Sequence, residues 1–188
     1  MLRGINVGGN NKIDMAALKA AFAESGFTDP KTYINSGNVL FSSEKDIADI
    51  RGECRALIGR HFGLDIAVAV LGSAELAESV AAAPDWWGRD ADSKHNAIFV
   101  IAPATVREVL EEMGRINDDY ERLAFHGSVI FWSAPTATFS RTKYGAMAKH
   151  PAYRKVTVRN FNTARKLAQS AFGISASGNL LHKLPHIG

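Results

Sequence analysis

Acidic side chains are missing from the last third of this 188-residue sequence. Residues 1–121 contain 12 Lys and Arg and all 19 Asp and Glu, whereas residues 122–188 contain 10 Lys and Arg and no acid. Clustered cations attract anionic ligands, so this division favours an anionic ligand or polymer as a partner of the second part of the chain. The alternative is a solvated basic face that the acidic first part balances.

Other absences narrow the class of protein. No apolar run approaches the ~20 residues that a helix needs to cross a bilayer, and the N-terminus lacks the charged-then-apolar pattern of an export signal. We therefore expect no membrane partner and a cytoplasmic location. The single cysteine, Cys54, fits a reducing compartment, and its place on an apolar helix stripe predicts an inert packed thiol.

The first half predicts the element order β-α-β-β-α-β, which is the split βαβ arrangement of ferredoxin-like folds. Helices are indicated by apolar spacing and by Asp14 as an N-terminal cap, and the hairpin by a turn at Ser36-Gly37. The expected elements are a strand Leu2–Val7, a helix from Asp14 to about Gly26, a hairpin of Thr32–Asn35 and Asn38–Ser42, a helix over Ile47–Ile58 and a strand Ile66–Leu71.

The second half repeats this order. Residues 127–133 (GSVIFWS) resemble residues 37–43 (GNVLFSS) at an offset of 90 residues, about half the chain. The expected elements are a strand Ala97–Ile101, a helix with Val106, Val109, Leu110 and Met113 inward, a hairpin turning at Gly127, a short basic helix over Thr142–Lys149, a strand Lys155–Arg159 and a helix Phe161–Ala171.

We therefore predict an α+β fold of two tandem ferredoxin-like (α/β plait, βαββαβ) subdomains related by an internal repeat. The expected division is a first plait over 1–71, a linker helix and Trp loop over 72–94, a second, basic plait over 95–172 and an extended tail over 173–188. Trp86 and Trp87 in the linker form either an exposed aromatic loop or a plug between the subdomains.

Three motifs carry a resemblance to a known family. They are residues 2–9 (LRGINVGG), 33–39 (YINSGNV) and 157–163 (TVRNFNT). Over roughly residues 2–171 the chain resembles the bacterial family catalogued as domain of unknown function 1697. The resemblance implies a soluble bacterial protein of plait-like subdomains and brings no activity with it. Family members usually carry several more residues before the Leu-Arg-Gly motif, so we expect a short first strand with an exposed edge here; a late start codon would explain the difference.

The first motif leads from a strand through a glycine-rich loop into a helix, which is how phosphate cradles are built. Arg3, Asn6 and Lys12 are its candidate polar contacts. Neither common phosphate-loop pattern is present, and Asp14 would repel an anion there. A tight turn built by Gly8 and Gly9 is the alternative.

The third motif is the best candidate anion site in the sequence. Arg159 ends a predicted strand, Asn160 is placed to cap the following helix, and Thr163 lies in the first turn of that helix. A guanidinium, a hydroxyl and backbone donors would converge on a phosphate or another oxyanion. Alternatively, Asn160 only caps the helix while Arg159 pairs with an acid of the other half.

Ser140 and Lys143 match the S-x-x-K pattern of some serine acyl enzymes, which requires both side chains on one helical turn. The alternative is a helix cap followed by the solvated cations Arg141 and Lys143. Cations and aromatic rings alternate through this region, as they do where phosphates are bound and bases stack. These residues are Arg141, Lys143, Lys149, Arg154, Lys155, Arg159, Arg165 and Lys166, with Tyr144, Tyr153 and Phe161.

We expect no metal and no cofactor. His182 and His186 are four residues apart, but Pro185 opposes the helix that would put them on one face. Asp90, Asp92 and His95 fit a solvated polar linker better than a metal site.

The resulting hypothesis is a noncatalytic protein that binds a phosphorylated or polyanionic ligand, a nucleotide or nucleic acid, with its basic second half. The rival hypothesis is an enzyme for a small anionic substrate, which Arg3, Lys12, Lys143 and Arg159 would orient in a cleft between the subdomains.

Overall fold

The chain adopts a mixed α+β fold with two small antiparallel sheets, one of two strands and one of four. A computed structural model describes residues 1–178, with side chains as far as residue 171. None of the helices within residues 1–178 is both long and apolar enough to cross a bilayer. The helices are α1 (Met15–Glu24), α2 (Ile47–Phe62), α3 (Ser73–Ala81), α4 (Val106–Met113) and α5 (Phe161–Gly178), and the strands are β1 (Thr28–Tyr33), β2 (Asn38–Ser42), β3 (Ser93–Val100), β4 (Arg122–His126), β5 (Val129–Pro135) and β6 (Val156–Asn160).

Local sequence explains where the helices begin and end. The carboxylate of Asp14 accepts from the N–H of Ala17 and starts α1, as predicted. Thr105 and Glu108 form a reciprocal capping box at the start of α4. Gly63 ends α2 in the left-handed conformation, where a residue without Cβ is unstrained.

The four-stranded sheet has the order β4-β5-β3-β6. Its central strand β3 pairs with β5 from Ser93 to Phe99 and with β6 from Asn96 to Val100. The predicted hairpin is confirmed as β4 and β5, which turn at Gly127 with a φ of +53°. The hairpin of the first half is also confirmed, as β1 and β2, although β1 begins four residues earlier than predicted.

The predicted first strand is wrong. Over Leu2–Val7 the structure has only two isolated bridges, Leu2 with Val68 and Val7 with Asn10. Gly4 and Asn6 have positive φ values of 63° and 54°, which interrupt an extended strand. The predicted strand Ile66–Leu71 is reduced to the same bridge at Val68, so the first sheet has two strands instead of four.

Two further expectations differ in the second half. The predicted helix over Thr142–Lys149 is part of three consecutive 3₁₀ segments, Thr136–Arg141, Tyr144–Lys149 and Pro151–Lys155. The last helix continues to Gly178, so the beginning of the predicted tail is helical. The remainder of that tail, with His182 and His186, lies outside the described residues.

Three apolar clusters form the core. One lies in the first half and includes Leu2, Phe22 and Cys54, and one lies beneath the 3₁₀ segments. The third joins the halves, because Met1 and Leu40 pack against a cluster of β3, β5, α3 and α5 residues around Phe99. Cys54 is packed in the first cluster, as the sequence predicts, and burial raises the pKa of its thiol to about 11.

Candidate functional site

The three family motifs meet at one buried side chain, Arg159 at the end of β6. Its Nε donates to Asn38 Oδ1 at 2.6 Å, and its Nη2 donates to the carbonyls of Leu2 at 2.9 Å and Ser36 at 2.7 Å. Its Nη1 donates to Thr157 Oγ1 at 2.9 Å and to the Val158 carbonyl at 2.7 Å. We call Leu2, Ser36, Asn38, Thr157 and Arg159 the arginine node.

The arginine node leaves no donor for an anion. A guanidinium has five N–H groups, and Arg159 makes five hydrogen bonds while only 6% exposed. No carboxylate pairs with Arg159 among the residues that the structure describes. Burial lowers the pKa of Arg159 to about 10, so it is still charged at neutral pH. The node therefore ties the two halves together through neutral oxygens.

Asn160 and Thr163 form a helix cap at the start of α5. The N–H of Thr163 donates to Asn160 Oδ1 at 2.8 Å, and Thr163 is buried. This backbone donor, which the anion hypothesis requires, is therefore already used.

Arg3, Asn6 and Lys12 are spread over the first loop. Asn6 has φ +54° and bonds the backbone N–H and carbonyl of Ile13 and the carbonyl of Asn35, so it holds the loop in shape. Arg3 Nε donates to the Tyr153 carbonyl at 2.9 Å, and its guanidinium lies 5.0 Å from the centre of the Tyr153 ring. Only Lys12 is fully on the surface.

Arg141 and Lys143 lie together at an open surface pocket of about 590 Å³. The guanidinium of Arg141 lies 5.6 Å from the centre of the Tyr120 ring. Arg3, Lys12 and Arg159 do not line this pocket, so the structure does not gather the four cations of the enzyme hypothesis here. The lining residues are Arg115, Ile116, Asn117, Asp118, Asp119, Arg141, Thr142 and Lys143.

Ser140 and Lys143 do not share a helical turn. The 3₁₀ segment that contains Ser140 ends at Arg141, and the next segment begins after Lys143. The geometry that the S-x-x-K hypothesis requires is therefore missing.

A buried carboxylate, Glu121, accepts hydrogen bonds from the backbone of two pocket residues, Asn117 and Lys143, and sequence reasoning missed it. Glu121 is 3% exposed and accepts from Trp132 Nε1 at 2.7 Å and from the backbone N–H groups of Lys143, Tyr144 and Asn117 at 2.8, 3.1 and 3.3 Å. Burial, followed by the charge of Glu121, raises the pKa of Tyr144. Neither the guanidinium of Arg141 nor the ammonium of Lys143 forms an ion pair with this carboxylate. The sequence feature that could have drawn attention to Glu121 is that it is the last acidic residue before the acid-free part of the chain.

His95 and Ser133 form a second pair that the sequence did not reveal. His95 Nε2 lies 2.7 Å from the carbonyl of Asp90, which can only accept, so Nε2 carries the proton. His95 Nδ1 then accepts from the Ser133 hydroxyl at 2.5 Å. Ser133 is 5% exposed, so its hydroxyl is not open to a substrate and the pair is structural.

Trp87 is not part of the exposed aromatic loop that was one of the two alternatives, and its ring contacts are with residues of the second half. It is buried, donates from Nε1 to the carbonyl of Asn96 at 3.1 Å, and meets the rings of Phe131 and Phe161 edge-on at 4.9 and 4.8 Å. Trp86 is half-buried beside it.

Comparisons with known proteins agree with the motifs. The structure is similar to a solved structure described as that of the conserved bacterial protein SP0830 from Streptococcus pneumoniae, with 29% sequence identity and a TM-score of 0.81. The similarity covers 91% of this chain and 96% of that chain. No curated protein sequence matches the chain. The family model described as "Protein of unknown function (DUF1697)" matches residues 1–131, and the chain belongs to that family.

Proposed function

We propose that the protein binds a phosphorylated or polyanionic ligand, a nucleotide or a single-stranded nucleic acid, without catalysis. The binding surface is the outer side of the three 3₁₀ segments, and the cations that carry it are Arg141, Lys143, Lys149 and Arg154. We call these four residues the basic face. The single cysteine favours a cytoplasmic location for this activity.

The alternation of burial along these segments carries the proposal. Thr142, Tyr144, Met147 and Ala152 are buried and pack against the core beneath them. The four cations between or beside them are exposed, because the chain has turned their neighbours inward. Within residues 1–178, none of the four has a carboxylate oxygen within 4.0 Å.

The other cations of the second half contribute less to an anion site. Lys155 forms an ion pair with Glu112, Arg159 belongs to the arginine node, and Arg165 lies over the ring of Phe161 at 5.5 Å. Arg122, Arg165 and Lys166 are also exposed but lie outside the region of the 3₁₀ segments, so the proposed surface uses four of the ten Lys and Arg residues in 122–188.

Fluorescence anisotropy with labelled single-stranded RNA and DNA, and with a labelled nucleotide, tests the proposal over a series of salt concentrations. Four phosphate contacts predict a log–log salt slope of about −3 for a single strand. The double variant Arg141→Ala/Lys143→Ala is expected to bind more weakly and to reduce that slope by about 1.4. The matched control is Lys19→Ala/Arg60→Ala, which removes two exposed cations of the first half. Absence of binding at low salt, or equal effects of both double variants, would contradict the proposal.

We further propose that each half is a plait with the βαββαβ order. Support comes from the four-stranded sheet, in which the first strand of the half, β3, lies between the third and the fourth, β5 and β6. The turns at Gly37 and Gly127 also share positive φ values, of 73° and 53°. Superposition of the two hairpins with Gly37 on Gly127 tests whether the halves are repeats; unrelated strand paths would refute it.

A further inference from the structure

The four-stranded sheet has an open edge along β4. In the order β4-β5-β3-β6, β4 lies at one end and, among residues 1–178, pairs with β5 alone. The strand at the other end, β6, lies against the first half, since Thr157 Oγ1 and the Arg159 guanidinium both donate to the Leu2 carbonyl. The edge of β4 therefore offers a place for a further strand. None of the basic-face residues belongs to this edge, so it does not depend on the proposed ligand.

The turn after β4 determines which way the peptide groups of this strand point. Gly127 and Ser128 form a two-residue turn, and the residues that flank such a turn, His126 and Val129, exchange the hydrogen bonds that close it. On the far side of β5, the Val100 N–H donates to the Ser128 carbonyl at 2.9 Å. Ser128 therefore faces β3 and Val129 faces β4, in agreement with the turn.

Two residues of β4 have their peptide groups at the open edge. Bonding directions alternate along a strand, so the N–H and C=O groups of Leu123 and Phe125 point away from β5. In the described chain, neither residue makes a backbone hydrogen bond outside the β4–β5 ladder. The Phe125 side chain is 59% exposed, whereas Leu123 is half-buried against the core. An apolar ring and unpaired peptide groups thus share one edge, and strand pairing would bury both.

The edge of the first sheet is protected, whereas that of β4 is not. Strand β1 contains Pro30, which has no N–H to donate, followed by Lys31. Its register also shifts between Thr28 and Lys31. Proline, lysine and irregular register are features that keep an edge strand from pairing with another chain. The five residues of β4 (RLAFH) include none of these, and their register with β5 is regular.

The sequence of β4 is complementary to a second copy of itself. In an antiparallel pair about a two-fold axis at Ala124, Leu123 of one chain lies opposite Phe125 of the other, and the two exchange backbone hydrogen bonds. The small Ala124 side chains meet at the central pair, where the two strands approach most closely. Each Phe125 ring then lies beside Leu123 of the other chain on the same face of the sheet.

The opposite face of this pair brings unlike charges together. In the same register, Arg122 of one chain lies opposite His126 of the other. The Glu78 carboxylate is 75% exposed and lies 3.9 Å from His126 Nε2. Arg122 is exposed and forms no ion pair in the described chain. The Arg122 guanidinium therefore meets Glu78 of the other chain, and the two-fold axis repeats this contact at the other end of the pair.

We propose that two copies of the chain pair through β4, which joins their four-stranded sheets into one continuous antiparallel sheet. The exchanged backbone hydrogen bonds and the contacts of Phe125 with Leu123 hold the dimer together. The ion pairs of Arg122 with Glu78 select the register. Because the interface rests on the five residues of each β4, it is small, and the population of the dimer depends on concentration.

Sedimentation velocity of the full chain, at concentrations up to about 1 mM, tests the proposal. We expect the weight-average mass to rise from 20.3 kDa toward twice that value. Phe125→Lys is expected to weaken association about tenfold or more, because it replaces the apolar contact with a cation in both copies. The matched control is Val7→Lys in the first half, where the apolar side chain is 63% exposed, and it should leave association unchanged.

Reversing the charges tests the register at low salt, where exposed charges are least screened. Arg122→Glu and Glu78→Arg each place like charges opposite one another, so each variant alone should associate more weakly than the parent. An equimolar mixture of the two should associate as the parent does, because the mixed dimer has unlike charges at both contacts. Single variants that associate like the parent, or a mixture no better than either variant, would overturn the proposal.

Hydrogen exchange identifies the surface that pairs. The amides of Leu123 and Phe125 are expected to exchange more slowly as the concentration rises. A monomer at every concentration, or equal effects of Phe125→Lys and Val7→Lys, would overturn the proposal. So would a monomer in which these two amides are already protected at the lowest concentration, because the edge would then be covered by another segment of the same chain.

Discussion

The two sheets differ at their centres. In the second half, β3 is an eight-residue central strand with partners on both sides. In the first half, β1 and β2 form a two-stranded sheet, and Met1–Arg3 joins the Gly37 carbonyl and Ala67–Ala69 only through isolated backbone hydrogen bonds. One sheet therefore has a central strand paired on both sides, and the other is a single hairpin.

The difference shows how a half with little strand pairing is held in place. Arg159 projects from β6 of the four-stranded sheet and donates to the carbonyls of Leu2 and Ser36 and to the side chain of Asn38 in the first half. Leu2 lies near the beginning of the sequence, and Ser36 and Asn38 lie just before and at the start of β2. The second half thus supplies, through one side chain, three hydrogen bonds to a half that has few of its own between strands.

Substitution of Arg159 is expected to give the largest loss of stability, because this side chain joins the two halves. Arg159→Ala leaves five acceptors without their donor, and we expect a loss of about 3–5 kcal/mol in the free energy of unfolding. Arg159→Lys supplies three donors for five acceptors, so its loss in the free energy of unfolding should lie between that of Arg159→Ala and zero. Urea unfolding measures both, with the exposed Arg165→Ala as control, expected within about 0.5 kcal/mol of the parent. A loss as small as that of the control would show that the node does not hold the halves together.

Glu121 is, with Arg159, one of two buried charged residues that the structure describes in the second half, and its substitution shows how far that half depends on the hydrogen bonds that Glu121 accepts. Glu121→Gln keeps the shape but turns an NH₂ group toward N–H donors. We expect a loss of about 2–3 kcal/mol in the free energy of unfolding. Thermal unfolding followed by tryptophan fluorescence checks this, since Trp132 donates to the carboxylate. Glu111→Gln, on the surface, should leave the free energy of unfolding unchanged. If Glu121→Gln also left it unchanged, the four hydrogen bonds to Glu121 would not be needed for stability.

Elements that depend on local sequence could be predicted. The Asp14 cap and the spacing of Leu18 and Phe22 determine α1, and Gly127 between two apolar runs determines the second hairpin. The first strand could not be predicted, because its apolar residues Leu2 and Ile5 are core residues of an irregular loop. Tertiary contacts, which the local pattern does not contain, decide that outcome.

The candidate site shows the same limit. Arg159 was singled out, and the cap formed by Asn160 was one of the two interpretations offered. Three of the five acceptors of Arg159, on Leu2, Ser36 and Asn38, lie 121 to 157 residues away along the chain, so sequence spacing could not identify them. Glu121 was missed because a buried carboxylate looks like any other acid until its four N–H donors are brought together by folding.

Gly88 tests the contact between the linker and α5. It has φ +85°, and a Cβ added there would lie 2.2 Å from the Phe161 ring. Gly88→Ala is expected to destabilise by about 2 kcal/mol or more, through strain at positive φ and overpacking. Gly26→Ala is the matched control, with the same φ and no heavy atom within 4 Å; we expect about 1 kcal/mol. If chemical denaturation gave the same loss in the free energy of unfolding for both variants, the Phe161 ring would move away from the new Cβ without a cost in stability.

The smallest expected effects come from two helix caps, one in each half. Asp14→Ala at α1 and Asn160→Ala at α5 each remove one side-chain acceptor for a backbone N–H, worth about 1 kcal/mol. The same two variants, examined in the salt series with labelled RNA, should leave affinity unchanged, because the proposed binding surface does not include either cap. A specific loss of RNA affinity in Asn160→Ala would instead restore the start of α5 as the anion site.

Hydrogen exchange in the free protein tests most directly whether strand pairing is more stable in the second half than in the first. The amides of Ala97 and Phe99 in β3 are paired within the four-stranded sheet, whereas those of Leu2 and Ala69 donate to the carbonyls of Gly37 and Met1 outside any sheet ladder. We expect the amides of Leu2 and Ala69 to exchange at least ~100-fold faster than the β3 amides, since isolated hydrogen bonds open without unfolding a sheet. Equal protection of the two sets in the free chain would contradict the account.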